Sequence, residues 1–365
     1  TIALTHPTDS KNLQYNIKNL WVNSSYKALC AVFYPSLIPP QMATLGKAQL
    51  SGNLSGSMNH AKVLANLFSD AGNIDADVAV HLTEPMKYSG KVALHRFEAG
   101  KMAEMDSLIG QVTLQANFDL QDTNPEKITG TAQVNLQQAQ LMGYNYQNAL
   151  LNLNLDRNIY TANVEVNDPA LQIQLQANAN LRNNLPQIAA TANLQHLNTT
   201  ALGLYAWDYT LGTQLKTNLQ GNSAENITGT LELNNTRFTR KDTTRILKEA
   251  KINISEKNNA KKIDIQSDIA DANLLGRFKP DMLASGIMRT INRYYRAFPD
   301  TFTNYTLPQQ ADFSLKMKDI ALLQQLFVPE LKRLDTCTLS GKIDETANIF
   351  ETTVQVRNAA YDTYL

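Results

Sequence analysis

The chain has 365 residues, of which 43% are hydrophobic and 18% are charged, and its 33 basic and 33 acidic residues cancel. The zero net charge gives no electrostatic basis for binding nucleic acid. Two cysteines in a chain of this length exclude a disulfide-dense scaffold.

Two short helices are predicted early in the chain. The segment "SSYKALCAVFYPSL", residues 24–37, has helical spacing and ends before Pro35. The segment "NHAKVLANLFSDAG", residues 59–72, is a weaker helix candidate. The chain starts without Met, at "TIALTHPTDS", and we expect it to be a segment of a longer protein.

From residue 110 onward, apolar and polar residues alternate with a period of two, which is typical of strands with one apolar and one polar face. In "GQVTLQANFDL" the apolar face carries Val112, Leu114 and Phe118. The same pattern in later segments adds the following predicted face residues: Val134, Leu136, Leu151, Leu153, Leu155, Val164, Val166, Leu171, Ile173, Leu175, Leu215, Ile252, Ile254, Ile263, Ile265, Phe313 and Leu315.

These strands predict a mainly β protein whose sheet has one polar face in water. Turn-type residues such as those in 122–125 and 183–186 separate them at the short spacing typical of all-β folds. Strands of a parallel sheet covered on both faces would instead be continuous apolar runs. The alternation therefore favours antiparallel pairing.

A longer helix is predicted over residues 281–298, "DMLASGIMRTINRYYRAF", and Pro299 ends it. Arg289, Arg293 and Arg296 follow one another at spacings of four and three residues in this helix. They form either a solvated face or a contact with lipid phosphates or an acidic partner. A shorter helix is predicted over 318–331, with Asp319 as its N-cap.

Two pairs of segments indicate internal repeats. An alternating strand, a short helix, F-x-P-x-L and L-S-G occur in this order from Tyr15 and again from Phe313, and "ITGT" begins at both Ile128 and Ile227. Repeat-like units are therefore predicted near residues 15–56, 128–181, 227–278 and 311–345. Repeats of this size are typical of architectures in which each unit contacts its neighbours.

The sequence carries none of the common catalytic or metal-binding motifs. H-E-x-x-H, G-x-S-x-G and the phosphate-binding G-x-x-x-x-G-K-[ST] do not occur, and the five histidines are scattered. We therefore expect no enzymatic activity, no cofactor and no metal site.

The chain resembles the AsmA-like superfamily, and within it the TamB-type (translocation and assembly module) proteins of Bacteroidetes. The alternating amide-rich strands, the repeated strand–helix–F-x-P-x-L–L-S-G unit and the run "YTANVEVNDPALQIQLQANANL" carry the resemblance. It implies an elongated, curled, antiparallel-rich sheet with few short helices, forming one continuous U-shaped groove (a β-taco) over residues 1–365. The alternating apolar residues would line this groove.

The resemblance also implies a location and partners. The family's proteins are periplasmic, are linked to moving phospholipid between the inner and outer membranes, and help outer-membrane barrels to assemble. An inner-membrane anchor and the contact with a barrel protein of the TamA/BamA type would lie outside this chain. The expected ligand is phospholipid or another acyl-chain lipid.

Two functions from different classes stay open at this point. In the first, the apolar face is a lipid groove, since acyl chains cover apolar side chains without needing hydrogen bonds. In the second, the face is a closed core, and exposed sheet edges bind client strands by β-augmentation in an assembly scaffold. A carbohydrate-active β-helix is a distant third, because its clustered carboxylates do not stand out.

Overall fold

The structure, a computed structural model, describes residues 1–9, 11–32, 38–204, 208–223, 225–279, 282–294, 308–320, 331–335 and 337–361. Strands account for 66% of it and helices for 8%, so the mainly β class predicted from the alternation is confirmed. Its strand pairings are antiparallel, as predicted. Contacts within the chain group into two compact units, Thr1–Asn178 with Thr200–Ala206 and Ala179–Thr199 with Trp207–Leu365.

The first unit is an antiparallel meander in which each strand pairs with the next along the chain, from β1 to β10. The unit boundary falls inside β11, after Asn178. The strands are β1 (Ile2–Thr5), β2 (Gln14–Ser25), β3 (Lys47–Ser57), β4 (His60–Ser69), β5 (Gly72–His81), β6 (Lys87–Glu98), β7 (Ile109–Gln121), β8 (Thr129–Leu141), β9 (Tyr144–Asp156), β10 (Ile159–Asn167) and β11 (Leu171–Asn180).

The second unit is also an antiparallel meander, from β12 to β18 and then through β20 and β21. Two short strands, β19 and β22, pair separately with each other. The strands are β12 (Gln187–Asn198), β13 (Thr210–Gln220), β14 (Thr228–Arg240), β15 (Thr243–Lys257), β16 (Ala260–Ser267), β17 (Ala270–Arg277), β18 (Gln310–Met317), β19 (Leu331–Leu334), β20 (Cys337–Asp344), β21 (Ile349–Val356) and β22 (Ala359–Tyr361).

Two-residue turns close several of these hairpins. Arg157 and Asn158, between β9 and β10, have φ values of 46° and 69°, and Asn258 and Asn259, between β15 and β16, have 54° and 59°. Positive φ at both central positions is the turn conformation that matches the twist of paired strands, and asparagine tolerates it well. The asparagine-rich composition thus serves the hairpins as well as the polar face.

The helices are few and short: α1 (Tyr26–Val32), the 3₁₀ helix η1 (Pro40–Leu45), α2 (Ala99–Met102) and α3 (Leu283–Tyr294). α1 lies within the helix predicted for 24–37, and α3 lies within the one predicted for 281–298. Residues 321–330 of the predicted helix 318–331, and both F-x-P-x-L motifs at 33–37 and 327–331 except for Leu331, lie outside the described residues.

The helix predicted for residues 59–72 is wrong, because this segment forms β4 and the turn into β5. Ala61, Val63 and Leu67 face the same side of the sheet and pair on both flanks with β3 and β5. The alanine-rich composition favours a helix locally, but pairing with two neighbouring strands overrides that preference.

The repeated motifs place glycines in equivalent positions. Gly130 in β8 and Gly229 in β14 have φ values of 132° and 130°. A Cβ atom on either would lie 2.0 Å from a backbone oxygen of the preceding strand, that of Asp119 or Asn218. Only glycine fits such a close approach of two strands, and glycine kinks of this kind curve a sheet.

Candidate functional site

In the first unit, the registers align the apolar side chains of successive strands into continuous rows. Val92, Ala116, Val134, Leu151 and Val164 lie directly opposite one another across β6, β7, β8, β9 and β10. A strand spacing of about 4.8 Å makes each such row roughly 19 Å long over these five strands. The rows continue through β5, β4 and β3, so one face of the unit is apolar over most of its strands.

The predicted face residues of this unit come together in these rows. Leu114 pairs with Leu136, and Phe118 and Leu153 both lie opposite Ala132. Val112 lies one row further along, beyond a bulge. The remaining predicted residues on β9, β10 and β11 are half-buried: Leu155, Val166, Leu171, Ile173 and Leu175.

The second unit has an apolar face built in the same way. Ile254, Ile263, Leu274 and Phe313 form one row across β15, β16, β17 and β18. The neighbouring row contains Ile252, Ile265, Ala272, Leu315 and Leu339. Leu215, on β13, pairs with Leu233 of β14. All predicted face residues of this unit therefore lie on one side of their strands.

Most of these side chains are neither buried nor fully exposed. Of the predicted face residues, Val112 is buried at 7% exposure and the others are half-buried. Side chains in the core of a compact domain are largely buried, so these apolar faces are not covered as such a core would be.

Helices cover some of the closed parts of the faces, and another closed part, around Leu247 and Ala250 in the second unit, is built from strand residues and Ile269. In the first unit, η1 and α2 contribute Leu45 and Met102 to a small core around Phe97. In the second unit, α3 contributes Leu283 and Ile287 to a core around Ile343. In the second unit this core also takes in Ile263 and Leu274, so α3 covers part of the Ile254–Phe313 row. The Val92–Val164 row and the Ile252–Leu339 row have no residue in either core.

A buried carboxylate fixes one corner of the first unit. Asp168, 1% exposed, accepts hydrogen bonds from the Tyr144 hydroxyl at 2.7 Å and from the backbone N–H groups of Gln147 and Ala170 at 2.9 and 2.7 Å. The bond to Asp168 raises the pKa of Tyr144 from 10.0 to about 12. The carboxylate is saturated with donors from the chain itself, so it has a structural role.

The arginines predicted to contact head groups or a partner lie on α3, where two of them bind the turn between β20 and β21. Arg289 Nη2 lies 3.1 Å from a carboxylate oxygen of Glu345, which is buried. Arg293 Nη1 donates to the Asn348 side chain at 2.8 Å and to the Glu345 carbonyl at 3.4 Å. Arg296 lies outside the described residues. These contacts anchor α3, and the head-group role stays a prediction.

The opposite face carries amides and exposed ion pairs. The Lys251 ammonium lies 2.9 Å from a carboxylate oxygen of Glu232 on the neighbouring strand. Within β16, the Lys262 ammonium lies 2.9 Å from a carboxylate oxygen of Asp264. Exposed pairs of this kind contribute little to stability. This face is therefore mainly hydrophilic, with single exposed apolar residues at Leu64, Phe68 and Leu275.

Several face residues were not predicted from the sequence. Leu54, Val63 and Val78 extend the apolar rows of the first unit, and Leu231 and Leu274 extend those of the second. The alternation in "NIDADVAV", residues 73–80, contains the necessary signal. Another unpredicted residue is a lysine, Lys261, which faces the same side as Ile263 and Ile265.

Within the described residues, no three His, Cys, Asp or Glu side chains are grouped in a way that could hold a metal ion. The same part of the chain contains no helix with both the length and the apolar character needed to cross a membrane. Comparisons of the chain with family models, curated proteins and solved structures find no match.

Proposed function

We propose that the apolar faces bind the acyl chains of lipids. The observation that carries this proposal is the set of in-register, half-buried apolar rows, such as Val134–Leu151–Val164, that helices cover only locally. On this proposal the chain is a periplasmic lipid-binding groove segment of a TamB/AsmA-like protein that moves phospholipid between the inner and outer membranes.

Acyl chains suit these faces chemically. Burying a Val or Leu side chain completely is worth about 1.5–3 kcal/mol, so the half-exposed rows retain free energy that an apolar ligand can use. An acyl chain needs no hydrogen bond, and each step from one row to the next exchanges one aliphatic contact for another. A uniform lining of this kind favours sliding over tight fixation.

The dimensions are also compatible. The row from Val92 to Val164 is roughly 19 Å long. One leaflet of a membrane is about 15 Å of hydrocarbon, half of the bilayer core. A single row therefore accommodates an extended acyl chain within one unit.

The first test is mass spectrometry of the organic extract after gentle purification from bacterial membranes. We expect phospholipid at near-stoichiometric levels. Recovery of a stable, folded and lipid-free protein would contradict the proposal.

A charge placed in the rows sharpens this test. Val134→Asp and Leu175→Asp put a carboxylate on the apolar face, where an acyl chain would desolvate it. Gln133→Asp and Gln174→Asp are matched controls, because they place the same charge on the exposed polar face of the same strands. We expect the first pair to lose bound lipid and the second pair to keep it, with folding of all four checked by circular dichroism.

A second candidate function, an assembly scaffold acting by β-augmentation, is favoured by the β21 strand. This strand pairs with β20 on one side, and Val354 and Val356 are 57% and 44% exposed. Unpaired strand edges with apolar side chains are sites where another strand adds. If the edge binds clients, Thr353→Lys together with Gln355→Lys should abolish crosslinking of a client strand to β21. Both side chains lie on the face opposite Val354, which continues the Leu315–Leu339 row, so the lipid content should stay unchanged.

A further inference from the structure

The second unit contains a cavity of about 670 Å³ at one end of its apolar face. It is lined by the β15–β16 hairpin, the end of β17, the start of β18 and the turn after β20. Both apolar and charged groups line it, among them Phe278, Lys261, Arg277 and Glu256. The cavity thus joins the apolar rows to a charged end.

Lys261 lies at that junction. It is 4% exposed and faces the same side of β16 as Ile263 and Ile265, so it continues their apolar column. Residues two apart on a strand are roughly 6.7 Å apart, which puts the Lys261 side chain one row beyond Ile263. Its Nζ lies 3.5 Å from the Ile227 carbonyl oxygen.

Burial lowers the pKa of the Lys261 ammonium below its ordinary value, and the carboxylates of Glu256 and Glu225 act in the opposite direction. A methionine or leucine would continue the apolar column at lower cost, because burying a charged group is unfavourable. A lysine at this position therefore indicates a binding role.

The wall of the cavity beside α3 is held by a buried network. Gln309, fully buried, accepts a hydrogen bond from the Lys279 backbone N–H at 2.8 Å, and its own N–H donates to Glu345 at 2.7 Å. Glu345 in turn binds Arg289 of α3. This wall is preorganised, so a ligand does not have to order it.

The charges of the lining favour an anion. Lys279 forms an ion pair with Glu225. The other charged groups among the described lining residues are Lys261 and Arg277 against Glu256, which lies directly opposite Lys261 on β15, so the described lining carries one more positive than negative charge. A phosphodiester carries one negative charge and accepts hydrogen bonds from ammonium and guanidinium groups.

We propose that this cavity binds the phosphodiester head group of a lipid, with Lys261 as its principal cation and the acyl chain running along the apolar face towards the Ile265 row. This inference rests on the proposed function and assigns the position and charge class of the head group. It predicts that the apolar face of the second unit binds lipids in one orientation, with the head at the α3 end.

The test is a titration with three probes: lysophosphatidylglycerol, a monoacylglycerol with the same acyl chain, and glycerophosphoglycerol, which has the head group without the chain. We expect the intact chain to bind lysophosphatidylglycerol about tenfold more tightly than the monoacylglycerol, the size of one charge-assisted hydrogen bond. Glycerophosphoglycerol should bind far more weakly than lysophosphatidylglycerol.

Variants assign this preference to the lysine. Lys261→Met keeps the aliphatic stem and should remove the tenfold preference without lowering the thermal midpoint, whereas Lys261→Arg should retain the preference. Lys262→Met is the matched control, because Lys262 is the next residue on the opposite face, bonded to Asp264. This control should bind both acyl probes as the unmodified chain does.

The outcomes separate the two proposals. Binding of neither acyl probe by the unmodified chain would overturn the proposed function itself. Equal binding of both acyl probes, or a preference that survives Lys261→Met, would overturn the head-group site and leave the lipid groove intact. Equal binding of glycerophosphoglycerol and lysophosphatidylglycerol would show a site for free phosphodiesters and refute the placement of the chain.

Discussion

The covered ends and the open middle of the apolar faces are built from the same residue types but differ in burial. Ile343, under α3, is 2% exposed and contacts a core that includes Phe278 and Phe350. Leu151, in the middle of a row, faces the same kind of aliphatic neighbours across β8 and β10 but remains half-buried. The alternation alone does not separate these environments, because the covering helices are distant in sequence.

This difference suggests a division of roles. The ends supply most of the tertiary stability per side chain, since a fully buried residue gains both the transfer and the packing contributions. The middle gives up part of that stability and keeps an apolar surface that a ligand can cover. This division predicts that, in the absence of lipid, truncations in the two regions lower the free energy of unfolding by different amounts.

The largest expected effect comes from truncating the covered end. Ile343→Ala should lower the free energy of unfolding of the second unit by about 4 kcal/mol, because it leaves a cavity in a closed core. Leu151→Ala should lower that of the first unit by only about 1 kcal/mol, since the leucine is half-exposed. Native-state hydrogen exchange of the β20 and β9 amides of the delipidated protein measures both values.

Equal losses for the two truncations would mean that the middle of the face is as well packed as its ends. The interpretation of the rows as an open ligand surface would then fail. Repeating the measurement with bound lipid extends the test, because the ligand should raise the cost of Leu151→Ala and leave that of Ile343→Ala unchanged.

A smaller effect is expected at the glycines of the repeated motifs. Gly130→Ala should lower the free energy of unfolding by about 3 kcal/mol, because its Cβ atom would meet the Asp119 backbone oxygen and its φ is unfavourable for alanine. Gly143→Asn is the control: no atom lies within 4 Å of its Cβ position, and asparagine tolerates the positive φ. A mild effect at Gly130 would show that the two strands can separate there, and the glycine would then not fix the curvature.

These glycines mark the limit of what the sequence predicts. The alternation in "LQIQLQANANL" and related segments correctly predicts the strands and which residues share a face, because a strand has only two faces. The "ITGT" repeat also predicts that β8 and β14 are equivalent. The close approach at Gly130 and Gly229 is not predictable, because it depends on which strand lies alongside.

The candidate site shows the same limit. The aliphatic lining follows from periodicity, but Lys261 does not, since a lone lysine in an alternating strand gives no sign of burial by distant segments. For the arginines of α3, the spacing predicts a charged stripe. In the structure, Arg289 and Arg293 both contact Glu345, which lies 56 and 52 residues further along the chain. The environment of a charged side chain depends on its tertiary neighbours, whereas the face on which an apolar strand residue lies follows largely from the local pattern.

The smallest expected effect lies at the polar corner that closes the first unit beyond its rows. At neutral pH, Tyr144→Phe should cost about 1 kcal/mol, the net contribution of its hydrogen bond to Asp168. The hydroxyl also has a pKa raised to about 12, so the folded state keeps a proton that the unfolded state releases above its ordinary value of 10.0. The stabilisation is therefore complete below pH 10 and is lost as the pH rises towards 12.

Urea unfolding of the first unit between pH 9 and 12 measures this loss. The unmodified chain should lose stability steeply across the window. Tyr144→Phe should lose less, with the remaining slope coming in part from Tyr146, whose pKa is also raised by burial and by Asp168. Tyr160→Phe is the control, because its hydroxyl donates to the Pro125 carbonyl rather than to a carboxylate. If Tyr144→Phe and Tyr160→Phe have identical pH profiles, Asp168 does not hold this corner through Tyr144, and the corner differs less from the open middle of the face than its burial suggests.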